Sequence, residues 1–161
     1  MRKKAKGSSS SANGVTKSPV SRRRVVNIVS VALAHLGFAE RTLEVSFVGD
    51  DAMRRLNRRT RGKNKTTDVL SFPNFHGKNG KLKVPAWAEA QPLGAVVISL
   101  DVARVQAAEL RHSVTDEITR LLVHGACHVV GFDHERSARD ERLMFAVEDE
   151  ILATLRQEAK R

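Results

Sequence analysis

The sequence predicts an α+β fold, in which one domain spanning residues 21–161 has a small mixed sheet of about four strands packed by about five helices. Three observations support this prediction. Apolar residues recur at helical spacing after residue 21 and again from residue 101 onward. Between those regions lie short runs with the length and apolar content of strands. No apolar run reaches the ~20 residues that a bilayer-spanning helix needs, so we expect no membrane partner.

Helices and short strands alternate in the predicted order of the first 100 residues. The 21–36 helix ends at Gly37, because glycine readily adopts the backbone that turns the chain back. The next helix begins at Asp50 as its N-cap. The expected elements are a helix over 21–36, a strand over 43–48, a helix over 50–59, a strand over 67–72, a loop over 74–92 with a short edge strand near 82–84, and a central strand over 93–100.

The second part of the chain is predicted to be helical throughout. A helix from Asp101 is interrupted near His112. The following helix contains two of the six histidines, and Ser113 or Thr115 is expected to cap it. The last helix begins near Ser137, with an acidic residue three positions later that resembles a capping box.

The charge of the chain is concentrated at its N-terminal end. Of the 28 basic residues, eight lie in residues 1–24, which contain no acid, whereas the remainder has 20 basic and 18 acidic residues. Residues 1–20 have almost no apolar content, so we expect a disordered basic tail. Three interpretations of the tail stay open: an inert solvated segment, an electrostatic tether to RNA, or an organellar targeting peptide.

The single cysteine indicates the compartment. Cys127 has no partner for an internal disulfide, which is typical of a reducing environment. We therefore expect a cytoplasmic protein, or one of an organellar matrix if the N-terminal segment is a targeting peptide.

The motif with the clearest chemistry is HGACHVVGFDH, residues 124–134. Residues four apart lie on one face of a helix, so His124 and His128 can direct both imidazoles to one point. Gly131 is expected to end the helix, and His134 can then return to the same point as a third ligand. Three imidazoles with a fourth position open are typical of catalytic zinc, so we predict one Zn²⁺ ion. The alternative is that these histidines are ordinary surface or core residues.

Two neighbours of the three histidines have open roles. Asp133 either orients a ligand imidazole or caps the loop. Cys127 is interpreted as a core residue rather than a fourth ligand. The spacing also matches the metzincin protease pattern H-E-x-x-H-x-x-G-x-x-H, except that Gly125 replaces the glutamate that acts as general base. Peptide hydrolysis by that mechanism therefore lacks its proton acceptor.

A second candidate segment is RRLNRRTRGKNK, residues 54–65, which has seven basic residues and no acid. Such a run is often only a solvated helix face. Gly62, however, offers a turn that presents Arg61, and the run leads directly into the strand at 67–72. A guanidinium binds phosphate through a planar fork of donors. Arg59 and Lys63 of the same run are expected to contribute to substrate binding.

Together these segments resemble the YbeY family of ribosomal-RNA maturation endoribonucleases. The resemblance is carried by HGxxHxxGxDH at 124–134, by Asn57-x-x-x-Arg61, and by TDVLSFP at 67–73. It implies a single-strand-specific, metal-dependent endoribonuclease of 16S-type rRNA 3′-end processing and small-subunit quality control. It also implies that His124, His128 and His134 hold zinc and that Arg61 is the catalytic arginine. The expected partners are an rRNA precursor, a small-subunit ribosomal protein and a ribosome-assembly GTPase.

The chain departs from the family's pattern at one position that bears on the site. Ala95 stands where relatives commonly carry an acid, which puts any role of that carboxylate in doubt. Two other functions stay open: a non-catalytic ribosome-assembly factor with a structural zinc, and a metal-dependent hydrolase of another bond.

Overall fold

The computed structural model describes residues 15–161 and has the predicted α+β architecture. The order of helices and strands along the chain is the expected one. The α-helices are α1 (Arg22–His35), α2 (Asp50–Arg61), α3 (Leu100–Glu109), α4 (Val114–Val129) and α5 (Ala138–Glu158), and the strands are β1 (Glu44–Val48), β2 (Val69–Pro73), β3 (Gly77–Lys78), β4 (Lys81–Leu82) and β5 (Gly94–Ser99).

The mixed sheet has three strands in the order β1-β5-β2, with β5 central as predicted. β1 is parallel to β5 and β2 is antiparallel to it. The expected fourth strand near residue 82 is not part of this sheet, because β4 pairs with β3 in a separate hairpin. Asn79 (φ 50°) and Gly80 (φ 79°) form the turn between them. Positive φ at both central residues is the type I′ geometry that Asn-Gly favours, so this dipeptide predicts the hairpin that the sequence analysis missed.

Helix α4 packs on one face of the sheet and α2 lies against the other. The larger core joins α1, α4 and α5 to the side chains of Val96 and Ile98 on β5. A smaller cluster on the opposite face joins Met53 of α2 to Leu70 and Val97.

Along β5, the side chains of residues 96 and 98 point to one face of the sheet and those of residues 95 and 97 point to the other. Ala95 therefore lies on the face away from α4, so an acid at this position would lie across the sheet from the histidine helix.

The helix ends follow the predicted chemistry with one correction. Ser113 and Ser137 cap α4 and α5, each accepting a hydrogen bond from a backbone N–H three residues later. Asp50 was expected to cap α2, but Gly49 is the N-cap and Asp50 is the first helical residue. There its carboxylate still lies near the positive end of the helix dipole.

A buried ion cluster anchors the first turns of α4. The carboxylate of Glu117 is fully buried and accepts hydrogen bonds from Arg120 (2.6 Å) and His112 (2.7 Å). The hydrogen bond to Glu117 raises the pKa of Arg120 above its usual range. Because one partner precedes α4 and the other lies within it, the cluster fixes where the helix begins.

Most of the expected basic tail, residues 1–14, lies outside the described residues. Residues 15–20 pack on the domain, since Val15 forms a bridge with Val48 and Val20 is buried. These six residues of the expected tail therefore contact the domain. Among the described residues, no helix is both long and apolar enough to cross a membrane.

Candidate metal centre and its cleft

The C-terminal end of α4 sets the positions of the three histidines. Gly131 adopts a left-handed backbone (φ 95°) immediately after the cap residue. The N–H groups of Gly131 and Phe132 donate to the carbonyls of His128 and Cys127, each at 3.0 Å. This pair of bonds is the Schellman motif, which ends a helix and reverses the chain. The reversal returns His134 toward the face of α4 that carries the other two histidines.

The three imidazoles converge as the sequence predicted. The ring centroids of His124 and His128 are 4.6 Å apart, and that of His134 lies 5.4 Å and 5.2 Å from them. The Nε2 atoms of His124 and His128 are separated by 3.1 Å. One ligand nitrogen from each residue lies within 4.8 Å of the other two.

Glu148 on α5 orients the first of these rings. Its Oε1 atom lies 2.7 Å from Nδ1 of His124, and both side chains are largely buried. The Nδ1–H group therefore donates to the carboxylate, which leaves the Nε2 lone pair directed into the cluster. Sequence reasoning missed Glu148, because it lies 24 residues from its partner on another helix.

His128 is held in its neutral form. Burial lowers its pKa to about 4, and the neighbouring imidazoles of His124 and His134 add to the shift. The charge of Asp133 and a hydrogen bond to the backbone of Phe132 act in the opposite direction and are weaker. A neutral imidazole is the form that binds a metal ion.

The residues adjacent to the ligands have distinct surroundings. Cys127 is fully buried in the main core, and burial raises the pKa of its thiol, so it stays protonated. The Asp133 carboxylate accepts a hydrogen bond from the backbone N–H of Glu135 at 2.9 Å, the loop-capping arrangement. The His124 ring donates its Nδ1–H hydrogen bond to Glu148 instead. Phe145 of α5 stacks on His134, with 6.2 Å between ring centroids.

Arg61 faces the same cleft as the three histidines. It is the last residue of α2, which was predicted to end at residue 59, and Gly62 caps that helix in a left-handed conformation (φ 68°) at the predicted turn. The buried Asn57 side chain donates to the carbonyl of Lys65 at 2.8 Å, which ties the following turn to the helix. The cleft, about 480 Å³, is lined by Arg61, Lys63, Thr67, Asp68, Val69, Ser71, His124, His128, Asp133, His134 and Glu135.

The residues that line the cleft differ from the predicted set at Arg59 and at Asp68. Arg59 is exposed on α2 and is absent from the cleft lining, whereas Lys63 belongs to it. Asp68 lines the cleft but was not singled out from the sequence. Its carboxylate accepts hydrogen bonds from the backbone N–H of Val69 (2.7 Å) and from Gln106 on α3 (3.1 Å). Asp68 thus fixes the start of β2 beside Arg61.

Packing explains why position 125 is glycine. A Cβ atom added to Gly125 would lie 2.6 Å from Cγ1 of the buried Val96 and 3.3 Å from Oγ of Ser71. The Ser71 hydroxyl also donates to the Gly125 carbonyl at 3.3 Å. This side of α4 therefore contacts the sheet. A carboxylate at this position would have to enter the core.

Substituting Gly125→Glu is accordingly expected to lower the free energy of unfolding by about 3 kcal/mol, through overpacking and burial of a polar group. Urea unfolding followed by circular dichroism measures the change. The control is Val105→Glu, on an exposed face of α3, with an expected change of about 0.5 kcal/mol or less. Equal stability of the two variants would contradict the packing explanation.

The donor set fits a metal ion. A tetrahedral ion with bonds of about 2.0–2.1 Å keeps its ligand nitrogens about 3.4 Å apart. The 3.1 Å separation between His124 and His128 is close to that value. The neutral state of His128 and the carboxylate behind His124 are the further properties that such a site requires.

Glu148→Gln removes the charge behind His124 and is expected to weaken metal binding about 10- to 100-fold. Competition with a chromophoric chelator measures the dissociation constant. Glu150→Gln is the matched control, because Glu150 forms the same kind of pair with His35 (3.0 Å) outside the cluster. An unchanged metal affinity in Glu148→Gln would show that the carboxylate does not act on the ligand.

The fold and the site define an α+β protein with a three-histidine candidate metal centre that faces an arginine across a cleft. The family model described as Endoribonuclease YbeY matches residues 10–156. The chain belongs to the YbeY family, as its motifs predicted.

Curated relatives agree with this assignment. An endoribonuclease YbeY of Persephonella marina is 38% identical over 137 residues, which cover 85% of this chain and 85% of the relative. One from Leptospira interrogans is 43% identical over 128 residues, covering 74% and 91%. The solution structure of the Thermotoga maritima protein TM1509 matches with a TM-score of 0.59 at 19% identity, over 88% of this chain and 87% of that one. This last likeness supports the fold alone.

Proposed function

We propose that this chain is a single-strand-specific, metal-dependent endoribonuclease of 16S-type rRNA 3′-end processing and small-subunit quality control. The observation that carries the proposal is the shared cleft, in which Arg61 and Lys63 face His124, His128 and His134. The endoribonuclease names of the relatives support RNA as the substrate.

The proposed cofactor is a single Zn²⁺ ion held by the three histidines. Three neutral imidazoles suit zinc, and a site with three protein ligands keeps a position open for substrate or water. When bound, the ion supplies Lewis-acid chemistry, which polarises a phosphoryl oxygen or acidifies a water molecule.

The charges of the cleft support a role for a bound cation. Two cationic side chains line it, Arg61 and Lys63, together with the three carboxylates of Asp68, Asp133 and Glu135. The two cations and three carboxylates together do not favour an RNA phosphate, whereas a divalent ion reverses the sign of this charge. Removing the metal should therefore weaken RNA binding in the cleft as well as cleavage.

Arg61 is the proposed catalytic residue. An arginine guanidinium is a permanent cation that offers paired donors to phosphoryl oxygens. As the scissile phosphate gains negative charge, these donors stabilise it, an effect of about 3–4 kcal/mol for one well-placed group. Lys63 binds a phosphate of the same strand as a point charge. Arg59 is proposed to contact RNA outside the cleft.

The two alternatives make different predictions. Hydrolysis of peptides is disfavoured because Gly125 contacts Val96 and Ser71, which leaves no room for the protease's glutamate. A non-catalytic assembly factor with a structural zinc would not need a cleft on one side of the ion. With this role we propose two protein partners, a small-subunit ribosomal protein and a ribosome-assembly GTPase. We also propose a location in the cytoplasm or in an organellar matrix.

The test uses purified protein and a labelled single-stranded fragment spanning the 3′ end of precursor rRNA. Cleavage of this fragment is expected, with a slower reaction on the same sequence in a duplex and none after chelation of the metal. Casein serves as a peptide substrate. Cleavage of casein instead of RNA would establish a peptide hydrolase, and metal-bound protein that cuts neither substrate would establish a non-catalytic assembly factor.

A further inference from the structure

A second basic surface adjoins the His134 side of the cleft. It is the segment of residues 76–83, here called the lysine hairpin, which contains β3, the Asn79–Gly80 turn and β4. Lys78, Lys81 and Lys83 are all exposed. With His76 and Asn79 they line a groove of about 530 Å³ that is separate from the metal cleft.

The hairpin is fixed to the turn that leads to His134. The backbone N–H groups of Asn79 and Gly80 donate to the carbonyls of Gly131 and Val130, each at 3.0 Å. A Cβ atom on Gly131 would lie 2.6 Å from the carbonyl oxygen of Gly77, so the two backbones are in direct contact. His134 is the third residue after Gly131, a span of at most about 10–11 Å.

Side chains reinforce this attachment. The Arg136 guanidinium donates to the Gly131 carbonyl (2.8 Å) and to Oδ1 of Asn79 (3.1 Å). The Asn79 amide donates to Asp140 on α5 at 3.2 Å. The hairpin is therefore held at its turn, while its lysines extend into solvent.

The charge of the hairpin is mostly uncompensated. Residues 69–88 contain no aspartate or glutamate. Within residues 15–161, none of the three lysines forms an ion pair. Asp140 is an acid near the hairpin, and its pKa is lowered chiefly by the hydrogen bond from Asn79, with the charge of Lys78 as the smallest contribution. Asp140 also lies 3.6 Å from Arg136, which further offsets its charge.

We propose that the lysine hairpin is a second phosphate-binding surface, which holds single-stranded RNA where the strand leaves the metal cleft on the His134 side. Flexible ammonium groups bind successive phosphates without reading bases. Arg61 and Lys63 hold the strand at the α2 side of the cleft, and the hairpin holds it beyond the metal ligands. The proposal rests on RNA being the substrate, as proposed above.

The experiment compares a long single-stranded RNA with a short one in fluorescence-anisotropy and cleavage assays over a series of salt concentrations. The variant is Lys78→Gln/Lys81→Gln/Lys83→Gln. Three lost contacts should reduce the slope of log affinity against log salt by about 2 for the long RNA, since each single-strand phosphate contact contributes about 0.7. The short RNA should lose less. A triple Lys→Arg variant should restore the slope, because it keeps the charges.

The matched control is Arg156→Gln/Lys160→Gln/Arg161→Gln, which removes the same charge from exposed residues at and just after the end of α5. Its slope should equal that of the wild type. Equal slopes for the wild type and the hairpin variant would overturn the proposal, as would an equally large loss in the control. If the wild type binds both RNAs and cuts neither, the endoribonuclease proposal fails, while the slopes still decide whether the hairpin binds RNA.

Discussion

Replacing Arg61 by alanine is expected to lower kcat for RNA cleavage about 10²- to 10³-fold, the effect of removing one well-placed donor from a developing charge. The loss should appear mainly in kcat, because the interaction strengthens as the phosphate approaches the transition state. The metal content should stay that of the wild type, since Arg61 lies on α2 and the three ligands lie on and after α4. Steady-state kinetics on a single-stranded RNA measure the change.

Two further variants sharpen this prediction. Arg61→Lys keeps the charge but loses the planar fork, so it should recover only part of the rate. Arg54→Ala is the control, because Arg54 is an exposed residue of the same helix, 3.7 Å from Asp50, and does not line the cleft. If Arg54→Ala cleaved RNA as slowly as Arg61→Ala, the loss of kcat would be due to the reduced positive charge of α2 and not to the loss of one catalytic group.

Replacing His128 by alanine is expected to remove both the metal ion and the activity. Its Nε2 atom lies 3.1 Å from that of His124, and we propose it as one of the three ligands of the candidate metal site. A two-ligand site loses most of its affinity for zinc, and cleavage should fall by more than about 10³-fold, a larger loss than that expected for Arg61→Ala. Metal analysis of the purified protein and the RNA assay measure the two effects.

Thermal unfolding gives an independent measurement of the same variant. Added zinc should raise the Tm of the wild type, because an ion that binds only the folded state stabilises it, and it should leave that of His128→Ala unchanged. His35→Ala is the matched control, since His35 pairs with Glu150 at 3.0 Å outside the cluster. Full metal content in His128→Ala would contradict the assignment of this residue as a ligand.

Local patterns predicted the features that depend on neighbouring residues. The spacing of His124 and His128 follows from the helical repeat, and Gly131 ends α4 as expected because it adopts positive φ. Gly62 forms the expected turn, but α2 runs to Arg61, two residues beyond the predicted end at residue 59. These features depend on backbone geometry within one or two turns. The apolar content of residues 93–100 likewise identified β5 as the central strand, since a strand covered on both faces has to be apolar.

Features that depend on packing between distant elements could not be predicted in this way. Glu148 meets His124 because α5 crosses α4, and nothing in the local sequence of α5 specifies that contact. The docking of the Asn79–Gly80 turn on Gly131 likewise depends on the return of the chain from a separate hairpin. Gly125 was recognised as a missing glutamate, but its reason, the contact with Val96, appears only once α4 lies on the sheet.

The most direct test of the account is a titration of metal-free wild-type protein with zinc, in which bound metal and cleavage of the single-stranded 3′ rRNA fragment are measured on the same samples. We expect cleavage to rise in proportion to bound zinc and to stop rising at one ion per chain. Arg61→Ala should bind the same single ion without comparable cleavage. Full cleavage by the metal-free protein, or equal cleavage by Arg61→Ala, would contradict the claim that the three histidines and Arg61 form one RNA-cleaving site.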